Sequence, residues 1–184
     1  GITLHQIGSA DEPLATLPDM MVATGDLIVV HLVPSGVTGI APASETTAKN
    51  QHPTATYAAN YDGAWDILGG TTGLFYSFRA LKLVAPGNVV LDAVSVVQSG
   101  GTAPGSWPGT LQALQAEGVW LPADCGGQLC TDTSTPTAIQ VSVDYKGVGN
   151  NAGGKSVQRK PGANTKMAAD WNAAAAQSFG LVNP

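Results

Sequence analysis

Charged residues are scarce in this chain. Of its 184 residues 11% are charged, with 13 Asp and Glu, 8 Lys and Arg, and a net charge of −5 at pH 7. A typical globular protein carries about 25% charged residues. Because nucleic-acid binding needs a concentrated basic surface, so few cations argue against DNA, RNA and anionic membranes as partners. Gly, Pro, Ala, Thr and Ser replace the charges, a composition more common in extracellular than in cytosolic proteins.

Long apolar runs are missing as well. No segment reaches about eighteen consecutive apolar residues, so the sequence predicts no transmembrane helix. The chain starts at Gly1 without an initiator Met or a signal-peptide pattern, which indicates either a removed leader or a start inside a longer sequence. The length predicts a single domain over residues 1–184, large enough to bury one core without relying on disulfides or metals.

The sequence also lacks the motifs that typically carry catalysis. Ser44, Ser77 and Ser106 do not lie in a Gly-x-Ser-x-Gly motif, and no glycine-rich phosphate loop follows a strand. His31 lies inside an apolar run, where a buried histidine with a backbone partner is far more common than a catalytic one. We therefore predict that the protein is not an enzyme and that it holds no metal or other cofactor.

The two cysteines, Cys125 and Cys130, are separated by Gly126-Gly127-Gln128-Leu129. A zinc site would need two more ligands, and the three histidines all lie far upstream without paired spacing. The glycines let a short loop turn back on itself, which favours a local disulfide; free thiols and a metal site are the alternatives. A disulfide would indicate an oxidising compartment, so we expect a secreted or cell-surface protein.

Short apolar runs bounded by Gly, Pro, Asn and Asp recur along the chain and are typical of β-strands. They predict strands at residues 2–7, 26–33, 80–84, 88–97 and 139–145. The second of these is almost continuously apolar, as in a strand covered on both faces, and the last alternates between apolar and polar residues. The turn Pro86-Gly87 predicts that the third and fourth form an antiparallel hairpin.

Helical patterns are short by comparison. Residues 109–117 and the alanine-rich residues 167–176 each predict a short helix, too short to organise the fold. The predicted class is therefore all-β with long decorated loops, as two sheets packed face to face or as a barrel.

Two of the four tryptophans, Trp65 and Trp107, are candidates for a ligand-facing surface that binds carbohydrate. Isolated aromatic side chains in β-sandwiches more often fill the core. A carbohydrate-binding module of a secreted hydrolase is therefore the alternative function.

The chain closes with Ser156-Val157-Gln158-Arg159-Lys160-Pro161-Gly162 and Ala169-Asp170-Trp171-Asn172, and contains Val89-Val90-Leu91-Asp92-Ala93-Val94 upstream. Together these segments resemble lamin-tail domains. The resemblance covers most of the chain, with insertions near 34–72 and 103–136. It implies an immunoglobulin-like β-sandwich of the kind found in secreted bacterial surface proteins.

Asp92 interrupts an apolar strand, so a side chain facing inward would need a partner. Arg159 is the candidate, because its planar guanidinium can bind both oxygens of a carboxylate. Solvent exposure of both side chains is the alternative. Trp171 is expected to fold back over the end of the sandwich, so Asp92, Arg159 and Trp171 are the predicted structural residues, together with Cys125 and Cys130.

Lamin-tail domains usually have one strand before the strand that begins near Gly1 here. An unfilled sheet edge exposes backbone hydrogen-bonding groups, which another chain can fill by donating a strand. The predicted function is accordingly a non-catalytic extracellular module for adhesion, assembly or scaffolding, acting through protein partners or self-association.

Overall fold

The computed structural model describes residues 1–17, 19, 21–32, 48–49, 64–68, 72–74, 78–98, 100–121, 130–131, 133–134, 136–145 and 155–176. Within these ranges the strands are β1 (Thr3–Ile7), β2 (Asp11–Thr16), β3 (Leu27–His31), β4 (Ala48–Lys49), β5 (Ala64–Leu68), β6 (Arg79–Ala85), β7 (Val89–Val97), β8 (Val143–Asp144), β9 (Lys155–Arg159) and β10 (Trp171–Ala176). Helix α1 (Trp107–Ala116) lies between β7 and β8. The all-β class is supported, whereas the immunoglobulin-like arrangement stays a prediction.

The largest sheet has five strands in the order β2-β1-β6-β7-β8. Its neighbours run antiparallel except β7 and β8, which are parallel. A second sheet has the order β3-β5-β4, with β3 and β5 parallel, and β9 pairs with β10 in a third, antiparallel sheet. The described sheets therefore mix parallel and antiparallel pairs. Because β1 is paired on both sides, with β2 and with β6, the expectation of an unfilled edge beside this strand is wrong.

The predicted hairpin is confirmed in β6 and β7. Gly87 and Asn88 at its turn have φ angles of 81° and 62°, the left-handed values that match the twist of a tight hairpin. The register shifts within the pair: Leu83 faces Asp92, but Val84 faces Val90, so Leu91 is an extra residue in β7. A β-bulge therefore lies next to Asp92 in β7.

The sheet has a core face, which carries Ala80, Ser95 and Val97, all 0% exposed. Helix α1 contributes Trp107, Leu111 and Leu114 to the same hydrophobic cluster. The ring of Trp107 meets Phe78 edge-on, with centroids 5.9 Å apart. The predicted helix at 109–117 is thus confirmed, and its apolar residues complete the main core.

Of the strand predicted at residues 139–145, only β8 (Val143–Asp144) is extended, so the rest of the prediction is wrong. Residues 138–141 form a turn, in which the Val141 N–H donates to the Thr137 carbonyl at 3.2 Å. The Thr137 N–H donates to Gln140 Oε1 at 2.9 Å, so a local side chain satisfies backbone that a strand would pair. Val141, Val143 and Tyr145 are buried as the alternation predicts, but Ser142 between them is buried as well.

The predicted helix at 167–176 is also wrong. Ala168–Asp170 forms a single 3-10 turn and the alanine-rich remainder is β10, which pairs with β9. Pairing with a neighbouring strand has overridden the helical preference of alanine.

Within the described residues, no helix combines the length and the apolar character needed to cross a bilayer. Most of the region near 34–72, and the final residue of the predicted strand at 26–33, lie outside the described residues.

Candidate functional site

Asp92 and Arg159 form a two-point ion pair. Arg159 Nη2 donates to Asp92 Oδ1 at 3.0 Å, and Nη1 lies 2.9 Å from Oδ2. Asp92 Oδ1 also accepts the Ala93 N–H at 3.0 Å. The contact proposed from the sequence is therefore present, and it joins β7 to β9.

Arg159 contacts Trp171 as well. The two residues are cross-strand partners in β9 and β10, and the guanidinium carbon lies 4.9 Å from the centroid of the indole ring. A cation–π contact of this kind contributes about 0.5–1 kcal/mol at partly exposed sites. Asp92 and Trp171 together hold the guanidinium in one orientation.

An apolar cavity of about 320 Å³ lies beside this group. Its lining includes four aliphatic side chains on adjacent strands of the five-stranded sheet, namely Leu4, Leu81, Leu83 and Val94. Leu4 faces Leu83, and Leu81 faces Val94, so the register places all four on the sheet face opposite the core face. We call it the cavity face.

The opposite wall of the cavity comes from β3. Ile28 and Val30 alternate along that strand, so both side chains point toward the cavity. Trp171 and Asp92 also line the space. The cavity thus lies between two sheets and ends at the Asp92–Arg159–Trp171 group.

A polar cluster formed by Thr3, His5, Asp11 and Lys82 lies on β1, β2 and β6. Lys82 Nζ is 2.6 Å from Asp11 Oδ2, and His5 Nδ1 is 2.7 Å from Asp11 Oδ1. His5 Nε2 is 2.8 Å from Thr3 Oγ1. Partial burial raises the pKa of Asp11, but the hydrogen bonds and charges of Lys82 and His5 outweigh it, so the pKa lies below its ordinary value.

The order hydroxyl, imidazole, carboxylate in this cluster is the order of a hydrolytic triad. Such a site also needs donors that stabilise an oxyanion, and none of the described contacts supplies a pair of them. Lys82 of β6 neutralises the carboxylate of Asp11 in β2 across the intervening strand β1, which is typical of a structural ion pair within a sheet. This cluster was not predicted from the sequence, although the spacing of Thr3 and His5 places both on one face of β1.

Comparisons with known proteins do not identify a family. No protein-family model, curated protein or solved structure matches this chain. The lamin-tail assignment therefore stays a prediction.

Asp170 is a buried carboxylate that organises the turn before β10. Burial raises its pKa, but hydrogen bonds from the Thr165 hydroxyl and the Lys166 backbone N–H, the latter at 2.8 Å, bring the net pKa below its ordinary value. The Lys160 N–H donates to the Asp170 carbonyl at 2.7 Å. These contacts set the start of β10 and hence the position of Trp171.

Cys130 is fully buried, and its N–H donates to Gln115 Oε1 at 3.2 Å. No free cysteine occurs in the part of the chain that the structure describes. Cys125 lies outside the described residues, so its pairing with Cys130 stays a prediction.

The expectation of a ligand-facing Trp107 is wrong. The side chain is 0% exposed because Trp107 is the first residue of α1 and packs into the core. The side chain of Trp65 lies outside the description. In the described residues, no group of three or more His, Cys, Asp or Glu side chains is placed to hold a metal ion.

Proposed function

We propose that this chain is a non-catalytic interaction module that self-associates by adding a strand from a second copy along β3. The observation that carries the proposal is the composition of this edge. β3 pairs with β5 alone among the described strands, and its residues from Leu27 to Val30 are all apolar. An apolar edge strand with unpaired backbone groups is a template for a further strand.

The edge of the five-stranded sheet provides the contrast. β2 begins with Asp11, Glu12 and Pro13, two acidic residues and a residue without a backbone N–H. Charged side chains and proline are the usual means of preventing association at a sheet edge. β3 has neither, so association is expected at β3 and not at β2.

A second copy fits this edge better than an unrelated partner. Identical edges can pair antiparallel about a two-fold axis, which makes the contact self-complementary and closed. The apolar side chains of β3 then meet their own counterparts, and the low charged fraction of the chain limits repulsion between copies. A secreted or cell-surface location and membership of the lamin-tail family belong to the same proposal.

The test is the oligomeric state of wild type and of Val29→Lys. Val29 lies between Ile28 and Val30, so its side chain points away from the cavity, and a lysine there charges the edge. We expect a wild-type dimer and a monomeric variant by analytical ultracentrifugation. Val89→Lys is the matched control, because Val89 is an exposed valine of β7 in the five-stranded sheet and its replacement should leave the dimer intact.

Hydrogen exchange on the wild-type protein provides a second readout that needs no substitution. Amide protons of β3 should become more protected as the concentration rises, while those of β2 should not change. A folded wild type that stays monomeric up to about 100 μM, equivalent to an association weaker than about −5.5 kcal/mol, would contradict the proposal.

A further inference from the structure

We propose that the cavity between the five-stranded sheet and β3 binds a neutral aliphatic ligand. This proposal goes beyond the proposed self-association and rests on a different observation, the lining of the cavity and the state of the charges around it. The first observation in its favour is the aliphatic character of the lining. Leu4, Leu83 and Val94 approach from the sheet, and Ile28 and Val30 from β3. Such a surface offers a polar ligand no favourable binding free energy, whereas binding a hydrocarbon releases water from it.

The charged side chains around the cavity determine whether the polar headgroup of a bound ligand can carry a charge. Both terminal nitrogens of Arg159 bind the carboxylate of Asp92, and the guanidinium also lies against the Trp171 ring. Lys82 contributes to the lining, but its ammonium group is 2.6 Å from Asp11. Arg159 and Lys82 are thus each paired with an acidic side chain.

Among the described residues, an anionic headgroup would therefore meet the Asp92 carboxylate, while Arg159 and Lys82 are already paired with acidic side chains. Burying such a charge is costly when it has no partner, and Asp92 adds like-charge repulsion. A hydroxyl, ether or ester avoids both costs. The cavity is therefore expected to bind a neutral alkyl compound more tightly than a fatty-acid anion of the same chain length.

The volume limits the size of the ligand. An engineered apolar cavity of about 150 Å³ binds benzene, so about 320 Å³ suits an aliphatic ligand of about a dozen carbon atoms. The volume lies at the lower end of the range of about 300–1,000 Å³ typical of small-molecule sites. A medium-length alkyl chain fits, whereas a long acyl chain would leave part of its surface in water.

The test compares decan-1-ol with decanoate at neutral pH by isothermal titration calorimetry and by shifts of methyl NMR signals. We expect decan-1-ol to bind and decanoate to bind at least about tenfold more weakly, with the largest shifts at Leu and Val methyl groups of the lining. Equal or tighter binding of decanoate would overturn the proposal. So would a folded protein that does not bind decan-1-ol.

Two cavity-filling variants locate the binding. Leu83→Phe and Leu4→Phe place a larger ring in the cavity from adjacent strands, and each should weaken decan-1-ol binding at least about tenfold. Val89→Phe adds the same ring at an exposed position of β7 and should bind as wild type does. Unchanged binding in both filled variants, with circular dichroism showing folded protein, would place decan-1-ol elsewhere and overturn the proposal.

Self-association and ligand binding are distinguished by repeating the titration on Val29→Lys. If the proposed dimer fails but decan-1-ol still binds, the cavity proposal stands alone. If the dimer forms and decan-1-ol does not bind, the cavity proposal fails and the proposed self-association is unaffected.

Discussion

The two faces of the five-stranded sheet are packed to different degrees. On the core face, Ala80 and Val97 are fully buried together with Trp107 of α1. On the cavity face, Leu81 and Leu83 remain partly exposed beside a space of about 320 Å³. Close packing keeps the dispersion contacts that stabilise a fold, while incomplete packing leaves apolar surface for a ligand. The core face therefore contributes most to stability, and the cavity face is the candidate for binding.

Each face also has its own ion pairs. Lys82 lies between Leu81 and Leu83 in β6, so its contact with Asp11 is on the side of the core face, while Asp92 faces Leu83 on the cavity face. Both carboxylates are partly exposed, at 46% for Asp11 and 35% for Asp92. Neither pair is buried enough to dominate stability, so both are expected to orient strands more than to hold them together.

The largest expected effect comes from truncating the core face. Trp107→Ala should lower the free energy of unfolding by about 3–5 kcal/mol, because it removes a fully buried ring and leaves a cavity. Leu83→Ala on the cavity face should cost only about 1–2 kcal/mol, since solvent already reaches that side chain. Urea denaturation of the two variants measures the difference. Equal losses would mean that the two faces are packed alike.

A smaller effect is expected at Asp92 and Arg159. A double-mutant cycle with Asp92→Ala and Arg159→Ala should give a coupling energy of about 0.5–1 kcal/mol, as expected for a partly exposed two-point pair. Arg159→Lys should recover little of it, because lysine keeps the charge but loses the planar fork and the stacking on Trp171. A coupling energy of zero in urea titrations would show that the contact is not maintained in solution.

The smallest expected effect is a pH dependence at Asp11. Its pKa in the folded protein lies below the ordinary value of 3.8, so its contribution to stability is complete above that value and is lost as the pH falls through the folded-state pKa. Because Asp11 is nearly half exposed, Asp11→Asn should change stability by only a few tenths of a kcal/mol.

Urea unfolding from about pH 6 down to about pH 2.5 tests this prediction. Asp11→Asn should flatten the loss of stability in the acid range, whereas Asp19→Asn, a substitution at an exposed position, should follow wild type. A wild-type curve that matches Asp11→Asn throughout would show that the cluster of Thr3, His5, Asp11 and Lys82 does not stabilise the fold.

Several parts of the fold could be predicted because their cause is local. The β6–β7 hairpin follows from two apolar runs around a glycine turn, and α1 from a short run of helix-forming residues ended by Gly118. The contact between Asp92 and Arg159 could also be predicted from the sequence. A carboxylate inside an apolar strand needs a partner, and few basic residues are present to provide one.

Two other features were not predicted, one because local side-chain hydrogen bonds compete with strand formation and one because a strand distant in the sequence decides it. Residues 139–142 alternate as a strand does, yet Thr137 and Gln140 fold them into a turn. The alanines after Trp171 favour a helix by propensity and become a strand because β9 lies beside them. Local preferences amount to less than about 1 kcal/mol per residue, so a complete backbone ladder or a set of buried contacts overrides them.

By itself, the sequence determined that this chain is rich in strands, where β1, β3, β6 and β7 lie, and that Arg159 is a candidate partner for Asp92. Only the tertiary structure decided that β2 and β3 both lie at sheet edges among the described strands, and that a cavity lies between β3 and the five-stranded sheet. The physical reason is that apolar patterning specifies which side chains leave water. The register between strands and the spacing between sheets, which depend on the whole chain, specify which of them meet.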